Sequence, residues 1–344
     1  MNTTTKTPYQ SAAPKLTASR DLTSLESQHL VESIISGQTT LQQTAFLLGA
    51  LRAKGESPDE LLGAARAMRR HARYIDCGGL PVLDTCGTGG DGKNTFNIST
   101  ASAFVAAGAG VIIAKHGNRS ASGLCGSADV LAQLGFNLDC SPAQMENAIR
   151  ETGIGFLFAQ KLHPAMSRLA PLRKELGIRT LFNLTGPLCN PAGASAQVLG
   201  VFSSELTETY AQVLRELGCR RAFVVHGMDG LDEITPCAET RVCELRDGHL
   251  KTYSLHPELY LNQRHPEADL LGGDAQTNAH ILHQILSNKI HNGAQAAVLL
   301  NAAAAIVASA LADDLHEGIH LARQSIASGA ALEKLNQLIH HSRQ

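Results

Sequence analysis

The sequence predicts an α/β protein in which a small all-helical domain packs beside a larger α/β domain with a mostly parallel central sheet flanked by helices. Helix start signals and helical apolar spacing fill the first quarter of the chain, and short buried strands alternate with helices beyond it. A length of 344 residues suits two domains. We expect a disordered tail at residues 1–20, a helical domain at 21–78 and an α/β domain at 79–344, with a return to the helical domain within 153–190.

The helical domain is predicted from capping boxes and from apolar spacing. Thr23 and Glu26 have the spacing of a capping box, as do Ser57 and Glu60, where a proline also follows the serine. A second apolar helix is predicted at residues 41–53. The Thr- and Ser-rich segment before these helices has no apolar core of a signal peptide, and we interpret it as a disordered tail.

Strands and helices then alternate as in a parallel sheet. Buried strands are predicted at residues 80–84 and 110–115, with a small-residue helix at 99–109 between them. A further helix begins at Ser141-Pro142, and strands at 198–202 and 221–226 enclose a helix at 206–217. Residues 153–190 are predicted to be helical.

The composition excludes several classes of partner. The formal net charge of −2 gives no basic excess for nucleic acid or for an anionic membrane. Aromatic residues make up 4% of the chain, too few for a surface that stacks bases. Residues 293–312 are uncharged, but Ala dominates them and three polar residues interrupt them, so we expect a helix buried in a soluble core. The eight cysteines include no Cys-x-x-Cys pair, and reduced thiols in the cytoplasm are expected.

The Gly-rich segment at residues 84–92 predicts a loop that holds phosphate. It satisfies the Gly-x-Gly-x-x-Gly pattern of dinucleotide sites, although no acidic residue follows at the required distance. It nearly satisfies a P-loop, but Asn94 stands where Ser or Thr should hold magnesium. It also faintly resembles the diphosphate loop of type I phosphoribosyltransferases. All three alternatives place backbone N–H groups around a polyphosphate.

Three further polar blocks follow predicted strands or begin a predicted helix. Residues 97–100 begin a helix, where free N–H groups favour an anion. Residues 115–120 supply two cations, an amide and a hydroxyl at the end of a strand, where open α/β sheets bind ligands. Asp232 and Glu233 follow the strand at 221–226, and adjacent carboxylates suit Mg²⁺.

These blocks in this order resemble the anthranilate phosphoribosyltransferase family, whose members transfer phosphoribose from phosphoribosyl pyrophosphate (PRPP) to anthranilate in tryptophan biosynthesis. The resemblance rests on residues 87–92, 97–100, 115–119 with 126–129, and 232–233. Residues 152–158 and 179–183, with 186–187 and 190–191, also match. The resemblance covers the whole chain except the N-terminal tail. It implies a helical domain hinged to the α/β domain and a homodimer formed through the helical domains.

The resemblance also implies roles for individual residues. Ser99, Asp232 and Glu233 would hold two Mg²⁺ ions per subunit, and Gly87, Asn118 and Arg173 would bind anthranilate. The residues that would line the PRPP site are Gly87, Gly90, Asp91, Thr95, Asn97, Ile98, Ser99, Thr100, Lys115, His116, Gly117, Asn118, Arg119, Ser120, Ala121, Ser122, Gly123 and Ser127. No residue is assigned as a general acid or base.

The chain departs from the family pattern at three positions. Cys125 stands where Ser is common, Gln160 replaces a usual Pro, and Thr185 replaces a usual aliphatic residue. A thiol is a poorer hydrogen-bond donor than a hydroxyl, so Cys125 is expected to weaken a phosphate contact. Two rival functions stay open: a phosphoribosyltransferase of the same fold with another aromatic acceptor, and a non-catalytic relative that binds nucleic acid.

Overall fold

The computed structural model describes residues 6–120 and 123–344. It begins with four helices: α1 (Pro8–Thr17), α2 (Ser24–Ile35), α3 (Leu41–Lys54) and α4 (Pro58–Arg70). Each begins at a capping box in which a Thr or Ser accepts from the N3 backbone N–H, and a Gln or Glu at N3 accepts from the N-cap N–H. The helix starts predicted at Thr23 and Ser57 are therefore confirmed.

The disordered tail predicted for residues 1–20 is wrong for its described part, because α1 occupies it. Thr7 and Gln10 form the capping box, and Pro8 at N1 is compatible with a helix start. Ala12 and Leu16 are 2% and 3% exposed, so they supply the apolar contacts that hold this short helix. Thr7 and Gln10 have the spacing of a cap, which the polar composition of the segment obscured.

A seven-stranded sheet follows, in the order β3-β2-β1-β4-β5-β6-β7. Its strands are β1 (Leu83–Gly87), β2 (Ile113–Gly117), β3 (Ile154–Phe158), β4 (Ala196–Gly200), β5 (Arg221–Gly227), β6 (Thr240–Arg246) and β7 (His249–Leu255). The first five strands of this order are parallel, whereas β6 and β7 pair antiparallel.

Twelve further α-helices surround the sheet within the described residues. They are α5 (Ile98–Gly108), α6 (Ser127–Gln133), α7 (Pro142–Thr152), α8 (Ala159–Leu162), α9 (Ala170–Leu176), α10 (Leu181–Thr185), α11 (Leu206–Glu216), α12 (Glu258–Leu261), α13 (Ala275–Leu286), α14 (Gly293–Ala308), α15 (Leu315–Ala327) and α16 (Ala330–Arg343). Short 3₁₀ turns lie at Pro164–Leu169, Gly186–Leu188 and Glu267–Leu270.

The prediction of a wholly helical 153–190 segment is wrong at its start, where β3 lies fully buried at the sheet edge. An apolar run of five residues fits a buried strand or a buried helix equally well, so periodicity could not decide. The strands predicted at 80–84 and 110–115 each lie about three residues later in the structure. Strands β6 and β7 were not predicted.

The order of the strands places a crevice at the end of β1. The chain passes from β1 to β2 on one side and later returns to β4 on the other. Open α/β sheets bind ligands outside the carboxyl ends of the strands at such a reversal. The Gly-rich loop leaves β1 at this point.

Two hydrophobic clusters cover the two faces of the sheet. One contains α5 and α14, together with residues of α7, α15 and α16. The other joins α2, α3, α4 and α11 to Leu169, Leu181 and Phe182. Residues within 153–190 therefore pack against the N-terminal helices, whereas the exact domain boundaries stay predictions.

The Ala-rich helix α14 lies in the first cluster. Val298, Leu300 and Ile306 are each 0% exposed, so the helix is buried on all sides. Within residues 6–120 and 123–344, no helix combines the length and the apolar character needed to cross a membrane.

Candidate active site at the end of β1

The Gly-rich loop begins where β1 ends at Gly87. Gly89, Gly90 and Gly92 have φ angles of +65°, +73° and +73°, a region that side chains with a Cβ rarely adopt. The backbone N–H of Gly89 donates to Asp232 Oδ2 at 2.7 Å. The loop is therefore held against the carboxylate pair that was predicted to bind magnesium.

Arg179 fixes the other side of this loop. Its guanidinium donates to the Gly90 carbonyl at 2.9 Å and lies 3.8 Å above the Phe202 ring. A Cβ on Gly90 would overlap this guanidinium and displace it, and the positive φ angle of this position favours glycine. Arg179 lies in the block at 179–183 that carries the family resemblance, but the sequence indicates no role for it.

Gly87 lies directly beside Asp232. A Cβ built on Gly87 would stand 2.5 Å from Asp232 Oδ2, closer than real Cβ atoms approach. This close approach explains why β1 ends in glycine.

Glu233 meets the N-terminus of α5. Its Oε1 accepts the backbone N–H of Ser99 at 2.9 Å, one of the free donors at a helix start. Ser99 Oγ in turn accepts from Lys115 Nζ at 3.3 Å, and Lys115 also donates to the Thr85 carbonyl. The three predicted metal residues, Ser99, Asp232 and Glu233, thus lie at one edge of the sheet together with Lys115.

The carboxylates at this edge carry perturbed pKa values. Burial raises the pKa of Glu233 to about 7, since the side chain leaves water and is only 8% exposed. Burial, followed by repulsion from the Asp91 and Glu233 carboxylates, raises the pKa of Asp232 well above its usual range. Burial lowers the pKa of Lys115, although the Asp84 carboxylate opposes this. A cation bound at this edge would favour the ionised form of both carboxyl groups.

The donor set fits Mg²⁺ that also takes oxygens from a substrate. Among the residues that the structure describes, no group of three or more His, Cys, Asp or Glu side chains is arranged to hold a metal by itself. Mg²⁺ is usually held by one or two carboxylates plus substrate phosphates. Asp232, Glu233 and the Ser99 hydroxyl supply hard oxygen donors of this kind.

A second loop runs from Asn118 to α6. Asp129 Oδ2 accepts from the N–H groups of Ser120 and Gly126 at 3.1 and 3.0 Å, and Asp129 Oδ1 accepts from Arg119 at 2.7 Å. Arg119 was predicted to face phosphate, but in this structure its guanidinium pairs with Asp129. Ser120 Oγ donates to the Gly123 carbonyl. The predicted residues Ala121 and Ser122 lie outside the described residues.

The remaining predicted PRPP residues surround these two loops with different exposure. Asp91 Oδ1 accepts the Lys93 N–H, Thr95 lines a cavity of about 230 Å³, and Asn97 is the N-cap of α5. Ile98 and Thr100 are each 1% exposed, so the Ile98 side chain belongs to the core rather than to a binding surface. Ser127, the first residue of α6, donates to the Asn118 carbonyl at 3.3 Å.

Gly117 and His116 end β2 in crowded surroundings. A Cβ on Gly117 would stand 2.5 Å from the Phe156 ring. Burial lowers the pKa of His116 to about 3, so its ring is neutral, and it lies 5.1 Å from the His163 ring between centroids. A ring held neutral in this way is not a proton donor at neutral pH.

The three predicted anthranilate residues lie on separate elements. Gly87 ends β1, Asn118 follows β2, and Arg173 lies in α9. Burial lowers the pKa of Arg173, and its buried Nε finds no hydrogen-bond partner within residues 6–120 and 123–344. Buried donors are normally paired, so this orphan donor points to a ligand acceptor.

Comparison with known proteins agrees with this geometry. A family model described as "Glycosyl transferase family, helical bundle domain" matches residues 10–72, and one described as "Glycosyl transferase family, a/b domain" matches residues 79–332. The anthranilate phosphoribosyltransferase of Desulfosudis oleivorans is 52% identical over 331 residues, which cover 96% of this chain and 98% of that protein.

The chain belongs to the anthranilate phosphoribosyltransferase family.

Solved structures of the family extend the match. The anthranilate phosphoribosyltransferase of Thermus thermophilus superposes with a TM-score of 0.91 at 43% identity, covering 97% of this chain and 99% of that one. That of Saccharomyces cerevisiae, in complex with PRPP and Mg, superposes with a TM-score of 0.89 at 31% identity, covering 97% and 98%. The predicted family, fold class and enzyme class are confirmed.

The three departures from the pattern of the anthranilate phosphoribosyltransferase family have different surroundings. Cys125 Sγ lies 3.6 Å from Asn97 Oδ1, and burial raises the pKa of the thiol to about 11. Gln160 Nε2 donates to Asn118 Oδ1 at 3.2 Å, which ties the loop after β2 to α8. Thr185 is fully buried and donates to the Leu181 carbonyl. The neutral thiol of Cys125 is thus turned toward Asn97.

Asn278, a residue that the sequence did not single out, supports the start of α5 through Asn97. It is 1% exposed in α13, donates to Asn97 Oδ1 at 3.1 Å and accepts the Gly273 N–H at 2.8 Å. Asn97 in turn donates to the Cys125 carbonyl at 3.2 Å. The sequence offered no signal for this role, since a polar residue in an amphipathic helix is ordinarily solvated.

The raised pKa of Glu233 predicts a pH dependence of stability in the metal-free protein. The carboxyl titrates near 4.5 when unfolded and near 7 when folded, so the folded state binds the proton more tightly. The resulting stabilisation is complete below pH 4.5 and is lost as pH rises through 7, at a cost of about 3 kcal/mol. Urea unfolding between pH 4 and 8 measures it against Glu233→Gln, which lacks the titration. Parallel pH profiles for the two proteins would contradict the assignment.

Proposed function

We propose that this protein transfers the phosphoribosyl group of PRPP to the amino group of anthranilate, giving N-(5-phosphoribosyl)anthranilate and pyrophosphate. The observation that carries the proposal is the meeting of the Gly-rich loop, Lys115 and the Asp232–Glu233 pair at the switch point of the sheet. The yeast relative was solved in complex with PRPP and Mg, which supports PRPP and Mg²⁺ as ligands of this chain.

The PRPP site is proposed to consist of the predicted residues of the two loops and the α5 N-terminus. The loop at 87–92 offers backbone N–H groups to phosphate oxygens, because its left-handed glycines leave no side chain in the way. Lys115 lies beside Ser99 and offers the leaving pyrophosphate a positive charge in a site sheltered from water. Arg119 needs to turn from Asp129 to reach a phosphate, and Asp129 meanwhile holds the backbone of its loop.

Mg²⁺ is proposed at Ser99, Asp232 and Glu233, with two ions per subunit. When bound, the metal would neutralise the charge that grows on pyrophosphate as the bond to ribose C1 breaks. The protein holds the two carboxylates in place through the N–H groups of Gly89 and Ser99. The transition state is proposed to resemble an oxocarbenium ion, as in other glycosyl transfers.

The acceptor side is proposed at Gly87, Asn118 and Arg173. The guanidinium of Arg173 suits the carboxylate of anthranilate through paired hydrogen bonds. The aromatic amine needs no prior deprotonation to attack C1. Placing the amine against the ribose therefore matters more than a general base, and none is assigned.

The remaining proposals concern the setting of the enzyme. A homodimer through the helical domain is supported by Leu25, Leu41 and Phe46, which are 59%, 46% and 42% exposed on α2 and α3. We further propose that the enzyme acts in tryptophan biosynthesis in the cytoplasm, where its eight cysteines would stay reduced.

The test is a mixture of protein, Mg²⁺, PRPP and anthranilate, followed by the loss of anthranilate fluorescence and by pyrophosphate release. Loss of fluorescence that requires both PRPP and Mg²⁺ is expected. Pyrophosphate release with unchanged anthranilate and consumption of another aromatic amine would favour the rival acceptor. Nucleic-acid binding without pyrophosphate release would favour the non-catalytic relative, although the retained carboxylates and the net charge of −2 oppose it.

A further inference from the structure

Asn301 is a buried amide in the middle of the apolar helix α14. It is 1% exposed, and its neighbours Leu300 and Ala302 are each 0% exposed. Burying an amide away from water is unfavourable unless its donors and acceptor are paired. The partners of Asn301 therefore indicate what the side chain does.

Two of the three hydrogen bonds of this side chain join the backbone of one residue, Ile234. Asn301 Nδ2 donates to the Ile234 carbonyl at 2.8 Å, and Asn301 Oδ1 accepts the Ile234 N–H at 3.0 Å. The second Nδ2 hydrogen is satisfied by the Ala297 carbonyl at 2.9 Å. One amide thus fixes both polar groups of a peptide residue, as a neighbouring strand would.

Ile234 directly follows Asp232 and Glu233. Each side chain is held by one backbone N–H, that of Gly89 for Asp232 and that of Ser99 for Glu233. The carboxylates can stay in register only if the backbone that carries them is fixed.

Gly200 supports the same backbone from the other side. A Cβ on Gly200 would overlap the Asp232 carbonyl, so β4 packs directly against the main chain at 232. Asn301 and Gly200 thus hold residues 232–234 between α14 and β4. Neither Asn301 nor Gly200 was among the residues predicted to bind substrate or metal.

We propose that Asn301 is a positioning residue that sets the spacing of the Asp232 and Glu233 carboxylates for metal-bound pyrophosphate. The inference rests on the proposed function of that pair, and Asn301 acts through the Ile234 backbone without touching substrate. Loss of the paired hydrogen bonds lets the 232–234 segment shift. This shift weakens the binding of Mg²⁺ and pyrophosphate more than the binding of the acceptor.

Asn301→Leu and Asn301→Asp test the proposal. Leu keeps the size and removes all the hydrogen bonds, whereas ionised Asp can still accept the Ile234 N–H and cannot donate to the Ile234 carbonyl. Ser325→Ala is the matched control: Ser325 is 3% exposed and donates to the Val105 carbonyl between α15 and α5, far along the chain from residues 232–234. Asn301→Leu and Ser325→Ala both remove buried hydrogen bonding from helices of the hydrophobic cluster that contains α5 and α14.

Calorimetric titration with magnesium pyrophosphate, a product of the proposed reaction, measures the effect without turnover. We expect the Kd to rise about tenfold or more in Asn301→Leu and also in Asn301→Asp, whose carboxylate would face the Ile234 and Ala297 carbonyl oxygens, with the Ser325→Ala value unchanged. In turnover assays the Mg²⁺ concentration for half-maximal rate should rise while KM for anthranilate stays constant. Thermal unfolding of all three variants checks that they fold.

Wild-type affinity for magnesium pyrophosphate in Asn301→Leu would overturn the proposal, as would an equal loss in Ser325→Ala. If Asn301→Leu does not fold, the same comparison is made with Asn301→Asp, and unchanged affinity there overturns it too. Tight binding of magnesium pyrophosphate by a wild-type protein that leaves anthranilate untouched would refute the proposed acceptor and leave the role of Asn301 standing. If the wild-type protein does not bind magnesium pyrophosphate, both the proposed function and the proposed role of Asn301 are refuted.

Discussion

Asp232→Asn is expected to lower Mg²⁺-dependent turnover by about 100-fold or more. Asparagine keeps an oxygen that can accept the Gly89 N–H, so the loop contact at 2.7 Å survives the change. What disappears is the negative charge that Asp232 gives to a metal ion. Burial and the Asp91 and Glu233 carboxylates already disfavour this charge in the free protein. Removing the charge should therefore leave the fold intact or stabilise it slightly.

Steady-state rates over a range of Mg²⁺ concentrations, combined with urea unfolding, check this prediction. The matched control is Asp229→Asn, because Asp229 lies in the same turn and accepts from Thr235 Oγ1 at 2.6 Å, away from the carboxylate pair. The control should keep its Mg²⁺ requirement. Near-normal turnover of Asp232→Asn would remove Asp232 from the proposed metal site.

Arg173→Gln is expected to raise KM for anthranilate by about 30-fold to 100-fold and to leave KM for PRPP unchanged. A charge-assisted pair with a carboxylate is lost, whereas Gln still offers a neutral amide. Arg173 is half-buried and its Nε has no partner within the described residues, so the change breaks no observed contact of Nε in the protein.

Initial rates with each substrate varied in turn measure the two KM values. Lys174→Gln removes an exposed positive charge from the next residue of α9 and serves as the control for general electrostatic attraction. An equal rise in both KM values, or an effect matched by Lys174→Gln, would contradict a direct role of Arg173 in binding the acceptor.

Local signals predicted much of the fold. The capping boxes at Thr23 and Ser57 and the helix starting at Ser141-Pro142 depend on neighbours a few residues apart, so the sequence displays them directly. Strand β3 could not be distinguished from a buried helix, because an apolar run has no period. Helix α1 was not predicted, because it buries only Ala12 and Leu16 and its other residues give no helical apolar pattern.

The residues of the candidate site also divide into those with a local sequence signal and those without one. The sequence predicts five residues of the site because each lies in a compact motif: Gly87, Ser99, Lys115, Asp232 and Glu233. Asn278 and Asn301 were missed because their partners lie 181 and 67 residues away, and only the folded chain brings those partners together. The ion pair between Arg119 and Asp129 was likewise not predicted, because the sequence does not show which charged side chains lie close together.

The two faces of the sheet have a consequence for how the substrates meet. Ile98 and Ile234, the chain neighbours of Ser99 and Glu233, belong to the body built around α5 and α14, whereas Leu169, next to the helix of Arg173, belongs to the body built around α2–α4. Under the proposed assignment, metal-bound pyrophosphate would contact the first body and the carboxylate of the acceptor would contact Arg173 on the second. A small rotation between the two bodies would then change the distance between the amine and ribose C1 while both contacts are kept. Variants that stiffen or loosen the connection should therefore alter kcat while each substrate alone binds as before.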